Sequence, residues 1–205
     1  MHTFLTISRL LSGMFRPQYF PVVGFLVLFL FTYMSLMPWQ YKASVLTLVL
    51  LGTVLLPRWT VRIWRHLNGL PLHLLRHRQN RYFPYMIGIL YYVFTLHILS
   101  QFHLPTYMRG IIISALMIQV TCAIINIFWK ISTHSAGAGA VCGALVAFGI
   151  LFSFNPLPWL CLSILVTGLV GTSRMLLRQH TLAQVTTGAL VGTICGFIGI
   201  IIPWS

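Results

Sequence analysis

Two histidines stand out because each directly precedes a long apolar run and has a cationic side chain nearby. His134 follows Lys130, and His180 lies six residues after Arg174. An imidazole can attack phosphorus or protonate a leaving oxygen, and guanidinium groups hold phosphate oxygens through paired hydrogen bonds. Two histidines with arginine, and without any acidic side chain, therefore suit phosphoryl transfer.

The chain between these histidines consists of two apolar runs, at about 136–153 and 157–172. They are separated by the uncharged turn Phe154-Asn155-Pro156. A chain that crosses a membrane twice returns to the side it left, so we expect His134 and His180 on the same membrane face. Helices that begin near both residues would add backbone N–H donors and a positive dipole end.

The composition places the whole chain in a membrane. Hydrophobic residues make up 58% of the 205 residues, charged residues only 6%, and the mean hydropathy is +0.90. The chain contains 13 Lys and Arg but no Asp or Glu, which excludes carboxylate-pair hydrolysis and carboxylate Mg²⁺ or Ca²⁺ sites. No Cys-x-x-Cys spacing occurs, so neither a zinc site nor a disulfide framework is indicated.

The apolar pattern predicts an all-α, polytopic membrane helical bundle that forms a single domain over residues 1–205. Backbone groups in lipid need internal partners, and no β-barrel alternation is present. We predict seven spans, or six if one early segment does not cross fully, after a basic interfacial segment at 1–19 and with a basic loop at 58–83. The spans lie at about 20–37, 43–57, 84–100, 109–129, 136–153, 157–172 and 181–203.

Small residues recur every fourth position near both histidines. Gly139 and Gly143 continue the row that starts at Ser135, and Gly188 and Gly192 repeat on the last span. This spacing lets two helix backbones approach closely in lipid, so it predicts tight packing rather than ligand binding.

The distribution of positive charge predicts which side of the membrane the histidines face. With seven spans, 11 of the 13 cationic residues lie on the face of the two histidines, and only Lys42 and Arg109 lie on the other. The positive-inside rule then places the histidine face in the cytoplasm. An anion site is basic for its own reasons, but setting aside five possible ligands still leaves 6 against 2.

Three short motifs resemble those of the type-2 phosphatidic acid phosphatase family, in particular a short bacterial branch. The third family motif is matched by Ser173-Arg174, by His180 and by the spacing to position 184. At position 184 itself, Gln184 stands where the family has Asp. The second motif, Pro-Ser-Gly-His, is kept at Ser132 and His134. The first, Lys-x₆-Arg-Pro, keeps only its spacing and its proline, as Arg76-x₆-Phe83-Pro84.

The resemblance implies a role for each matching residue. His180 is then the nucleophile that forms a phosphohistidine, and His134 the acid for the leaving alcohol. Phosphate ligands would be Arg174, Arg81, Arg78, Ser132 and Lys130, and Gln184 would orient His180. The family also implies catalysis without metal or cofactor, a lipid phosphate as substrate, the bilayer as surroundings and no nucleic acid partner.

The function expected from these observations is a phosphatase of lipid phosphates or diphosphates in a bacterial inner membrane. Two alternatives remain open. One is a phosphotransferase of the same fold, and the other is a non-catalytic membrane protein that binds anionic lipid. Neither the particular lipid nor the oligomeric state follows from the sequence.

Overall fold

Seven apolar helices form the part of the chain that the computed structural model describes, residues 6, 8–10, 12–13, 15–69, 82–102 and 104–203. The predicted all-α, polytopic membrane bundle is confirmed. The helices are α1 (Phe20–Phe31), α2 (Trp39–Leu67), α3 (Tyr82–Ser100), α4 (Thr106–Phe128), α5 (Thr133–Phe152), α6 (Leu157–Leu176) and α7 (Leu182–Ile201).

Six of these helices, α2 to α7, are long and apolar enough to cross a membrane, whereas the first apolar helix, Pro17–Phe31 with its leading 3₁₀ turn, is shorter. It nevertheless joins the two ends of the bundle. Phe20 and Pro17 lie against Gly137 near the start of α5. At the other end, the Tyr33 hydroxyl accepts a hydrogen bond of 2.7 Å from Tyr107, near the start of α4. We call the end where α5 and α7 begin the histidine face.

The second helix is longer than the sequence indicates, and part of the predicted basic loop is wrong. Residues 58–67 continue α2, after a π-helical turn at Leu51–Leu55. Arg58, Arg62 and Arg65 lie four and three residues apart, so a helix puts them on one side and its apolar residues on the other. Of the rest of the predicted loop, Asn68 and Gly69 form a turn, and Tyr82 and Phe83 already belong to α3. Residues 70–81 lie outside the described residues.

Helices α5 and α7 pack with their backbones in contact. A Cβ atom at Gly192 would overlap the carbonyl of Ala136, and one at Gly143 would overlap the carbonyl of Thr193. Gly188 approaches the carbonyl of Ser132 in the same way. The predicted role of the small residues in close helix packing is therefore confirmed, and it fixes the starts of the two helices relative to each other.

The remaining helices surround this pair. Phe25 of α1, Val45 of α2, Leu99 of α3 and Met108 of α4 are fully buried in one apolar core. Helix α6 covers the other side of α5 and turns leucines outward, with Leu165 66% exposed. Such a surface is compatible with lipid and not with water, as expected for a membrane bundle.

Candidate active site

The segments that precede α5 and α7 are tied to each other. The Lys130 ammonium donates a 2.7 Å hydrogen bond to the carbonyl of Gln179, and the Ser132 amide donates to the carbonyl of Gln184 at 3.3 Å. Together with the close contact at Gly188, these bonds hold the two helix starts side by side. His180 lies on the segment before α7, and His134 is the second residue of α5.

Ser132 acts as the N-cap of α5. Its side chain accepts a hydrogen bond from the Ser135 amide, and the two hydroxyls are 2.9 Å apart. Ser132 is completely buried. The hydroxyl that the family resemblance assigns to phosphate thus stabilises the helix start, as serine commonly does at this position.

His134 is the second residue of α5 and lies within a cluster of positive side chains. Arg174, Arg16 and the His180 ring are all close enough to act electrostatically on its imidazole, which also hydrogen-bonds to the backbone of Ser12. His134 is partly exposed, whereas Arg174 is only 7% exposed. The two helix starts and the end of α6 therefore converge on one point at the histidine face.

His180 is positioned by Gln184, one helical turn further on. Its Nδ1 lies 3.1 Å from Gln184 Oε1. An amide oxygen only accepts hydrogen bonds, so this contact places the proton on Nδ1 and leaves the lone pair on Nε2. His180 is 8% exposed and lies outside α7, two residues before Leu182.

Gln184 also stabilises the start of α7, a role that the sequence did not predict. Thr181 and Gln184 form a capping box, in which Gln184 Oε1 also accepts from the Thr181 amide and Thr181 Oγ1 accepts from the Gln184 amide, both at 3.4 Å. One amide oxygen thus orients the imidazole and stabilises the start of α7.

The N-terminal segment also contributes to the site, which sequence reasoning did not find. Arg174 Nη1 donates to Ser12 Oγ, 162 positions away in sequence. Ser8 and Ser12 are buried, while Arg9 and Leu10 between them are exposed. Two serines four residues apart in a basic stretch are the only signal, since they fall on one side of a helix.

The structure brings together His134, His180, Arg174 and Gln184, and adds Ser12 and Arg16. Lys130 lies nearby, but its ammonium binds the Gln179 carbonyl. Arg78 and Arg81, the other predicted phosphate ligands, lie outside the described residues, as does Arg76.

The site is strongly electropositive. No side chain in the protein is a carboxylate, so Arg174 and its cationic neighbours have no acidic side chain to neutralise them. The amide groups at the starts of α5 and α7 add partial positive charge at the same end of the bundle. A dianionic group such as a phosphate ester would complement this charge.

The fold and this site define a multi-pass membrane protein with a basic, two-histidine centre at one face. No protein-family model matches the chain, and comparisons with curated proteins and with solved structures find no match either.

Proposed function

We propose that this protein is a metal-independent phosphatase of membrane lipid phosphates or diphosphates, similar to type-2 phosphatidic acid phosphatases, in a bacterial inner membrane. The observation that carries the proposal is the convergence of His134 and Arg174 with His180, whose Nδ1 is held by Gln184. This arrangement supplies a nucleophile, an acid and a phosphate ligand without a carboxylate or a metal ion.

The proposed reaction has two steps. Nε2 of His180 attacks phosphorus, the P–N bond forms, and the bond to the leaving oxygen breaks while His134 donates a proton to that oxygen. Water then attacks the phosphohistidine and gives its proton to His134, so that a P–O bond forms, the P–N bond breaks and inorganic phosphate leaves the restored His180. Arg174 and the N-terminal amides of α5 and α7 stabilise the equatorial oxygens in both steps.

The position of the site indicates how a lipid would reach it. The site lies at the ends of helices that are long and apolar enough to cross a membrane, where lipid headgroups would be, and α6 next to it has a lipid-compatible outer surface. A lipid phosphate could enter sideways from the bilayer, with its acyl chains remaining in the membrane. Phosphatidylglycerophosphate, phosphatidylinositol phosphate, polyprenyl diphosphate and lipid A phosphates all meet this description.

A protein that binds anionic lipid without turnover is the alternative of a different class. Gln184 favours it, because an amide does not stabilise an imidazolium as a carboxylate does. In a serine protease, losing the equivalent carboxylate lowers kcat by about 10⁴. The hydrogen bond between His180 and Gln184 supports catalysis, because lipid binding alone requires no particular imidazole tautomer.

The test is phosphate release from phosphatidic acid and phosphatidylglycerophosphate by protein in nanodiscs. His180→Ala should abolish release because it removes the nucleophile. His134→Ala should slow it by about 10²–10⁴ and recover best with good leaving groups, because it removes only the general acid.

His97→Ala serves as the matched control, because His97 is exposed near the opposite end of α3. Equal and small effects of all three substitutions would refute the catalytic roles. Binding of anionic lipid without release by the wild type would favour the non-catalytic alternative.

A further inference from the structure

A cavity of about 190 Å³ lies next to the site, between the N-terminal side of α1 and helices α2 to α5. Its lining includes Gln18, Thr53, Gly88, Gln119 and Thr133. None of the described residues that line it is charged. The cavity therefore differs from the basic site, although both lie at the histidine face.

The cavity and the basic site share a wall. Pro17 lines the cavity and directly follows Arg16, while Thr133 lines it and directly precedes His134. The cavity and the basic site are therefore lined by neighbouring residues of the same two chain segments. A small molecule in the cavity would lie near the proposed general acid.

Gln119 contributes a polar side chain to the wall of the cavity well inside the bundle. It precedes the end of α4 at Phe128 by nine residues, which corresponds to a depth of about 14 Å along the helix. Its side chain is only partly buried and forms part of the cavity wall. Gly88 leaves room for this amide, because a Cβ there would come within 2.6 Å of Gln119 Nε2.

A polar side chain inside an apolar bundle is favourable when it faces a polar partner, so the Gln119 amide makes the cavity suitable for a polar occupant. No charged side chain is among the described residues of the lining, so these residues favour an uncharged ligand, because a buried charge needs a partner. Pockets for drug-sized ligands measure about 300–1,000 Å³, so this cavity is suited to a small group and not to acyl chains. Amide and hydroxyl groups both donate and accept, as alcohols do.

We propose that this cavity binds a small uncharged polyol, such as a glycerol unit, next to the phosphoryl-transfer site. Its part in the reaction depends on the proposed function. A bound free alcohol would attack the phosphohistidine, so that the P–N bond breaks, a P–O bond forms and the alcohol proton passes to His134. A polyol headgroup of the lipid substrate would instead be the leaving group in the first step.

Binding is tested directly by saturation-transfer NMR of glycerol with the protein in nanodiscs, which needs no enzymatic activity. The wild type should transfer saturation to glycerol. Gln119→Leu removes the amide, and Gly88→Ala displaces it without removing it, so both should weaken the signal about threefold to tenfold, as expected for one hydrogen bond. Gln101→Leu, exposed beyond the end of α3, should retain the signal. Signals of equal size from all four proteins would overturn the proposal.

The activity assay then distinguishes the two sources of the polyol. If the free alcohol is the ligand, added glycerol should divert phosphoryl groups into glycerol phosphate, and Gln119→Leu should lower that fraction. If the headgroup is the ligand, Gln119→Leu should lower kcat/KM for phosphatidylglycerophosphate relative to phosphatidic acid. If the protein hydrolyses lipid phosphate and Gln119→Leu causes neither of these changes, the polyol proposal is also overturned. Glycerol binding in a protein without hydrolysis would refute the proposed function and leave the polyol site standing.

Discussion

Replacing Gln184 tests how His180 is positioned. Gln184→Leu keeps the size of the side chain but removes the oxygen that accepts from His180 Nδ1 at 3.1 Å and from the Thr181 amide at 3.4 Å. Without this acceptor, the His180 ring can rotate and can carry its proton on Nε2, the nitrogen that must attack. The substitution should therefore reduce both the reactive tautomer and the stability of the first turn of α7.

The two contacts set the size of these effects. A neutral hydrogen bond contributes about 0.5–1.5 kcal/mol, which corresponds to a loss in kcat of about twofold to tenfold. Loss of half of the capping box should lower the free energy of unfolding by about 0.5–1 kcal/mol. Gln184→Glu keeps the shape of the side chain and adds a charge that favours the imidazolium. It should keep or raise kcat and shift the pH optimum upward.

The assay is a pH–rate profile of lipid phosphate hydrolysis in nanodiscs, together with thermal unfolding of each variant. Gln179→Leu is a matched control, because Gln179 binds Lys130 through its backbone carbonyl, which the substitution retains. If Gln184→Leu and Gln184→Glu give the rate and pH profile of wild type and of Gln179→Leu, Gln184 does not orient the nucleophile. If the Gln184 variants change only in thermal unfolding, Gln184 caps α7 and does not orient His180.

Three further predictions concern the metal, the helix contact and the N-terminal segment. EDTA should leave hydrolysis unchanged, since the chain has no carboxylate ligand, and rescue of an EDTA-treated enzyme by Mg²⁺ would contradict this. Gly192→Ala should cost about 1–3 kcal/mol of unfolding free energy in detergent, because its Cβ meets the Ala136 carbonyl, whereas Gly168→Ala, with open space around its Cβ, should cost nothing. Ser12→Ala should lower kcat/KM by about threefold to tenfold, because Arg174 loses a hydrogen-bond partner, and an unchanged value, like that of exposed Ser44→Ala, would refute a role for Ser12.

The pattern of apolar runs in the sequence was sufficient to predict the helical bundle, because lipid allows few other structures. Each apolar run must become a helix, and the parity of the two runs between His134 and His180 determines that both lie on one face. The small residues of α5 and α7 were equally readable, since close backbone packing in lipid depends on their spacing. These inferences need only local pattern and the thickness of the membrane.

The end of α2 could not be predicted from the sequence in the same way. Hydropathy drops after Pro57, so a membrane criterion ends the span there. The helix nevertheless continues, because the side chains of Arg58, Arg62 and Arg65 can lie together on one side of the helix. In addition, Arg58 donates hydrogen bonds to Gln18 Oε1 and to the Tyr19 hydroxyl, at 2.9 and 2.8 Å. Contacts between segments 40 residues apart have no local sequence signature.

The candidate site was predictable only where it repeats a motif. His134, His180 and Arg174 have fixed spacing, but the contact of Arg174 with Ser12 joins residues 162 positions apart. The cavity at Gln119 depends on a glycine of another helix, Gly88, that makes room for its amide. Such features result from tertiary packing, and a single sequence carries no record of which side chains meet.

The contact between α5 and α7 links packing to the proposed chemistry. Gly188, eight residues after His180, lies against the carbonyl of Ser132, two residues before His134. A slip of α7 along α5 by one residue would move His180 by about 1.5 Å relative to His134. A misplacement of about 1 Å can cost a reaction about 10² in rate. Bulky residues along this seam should therefore impair catalysis before they prevent insertion into the membrane, because they shift one helix start against the other while both helices remain apolar.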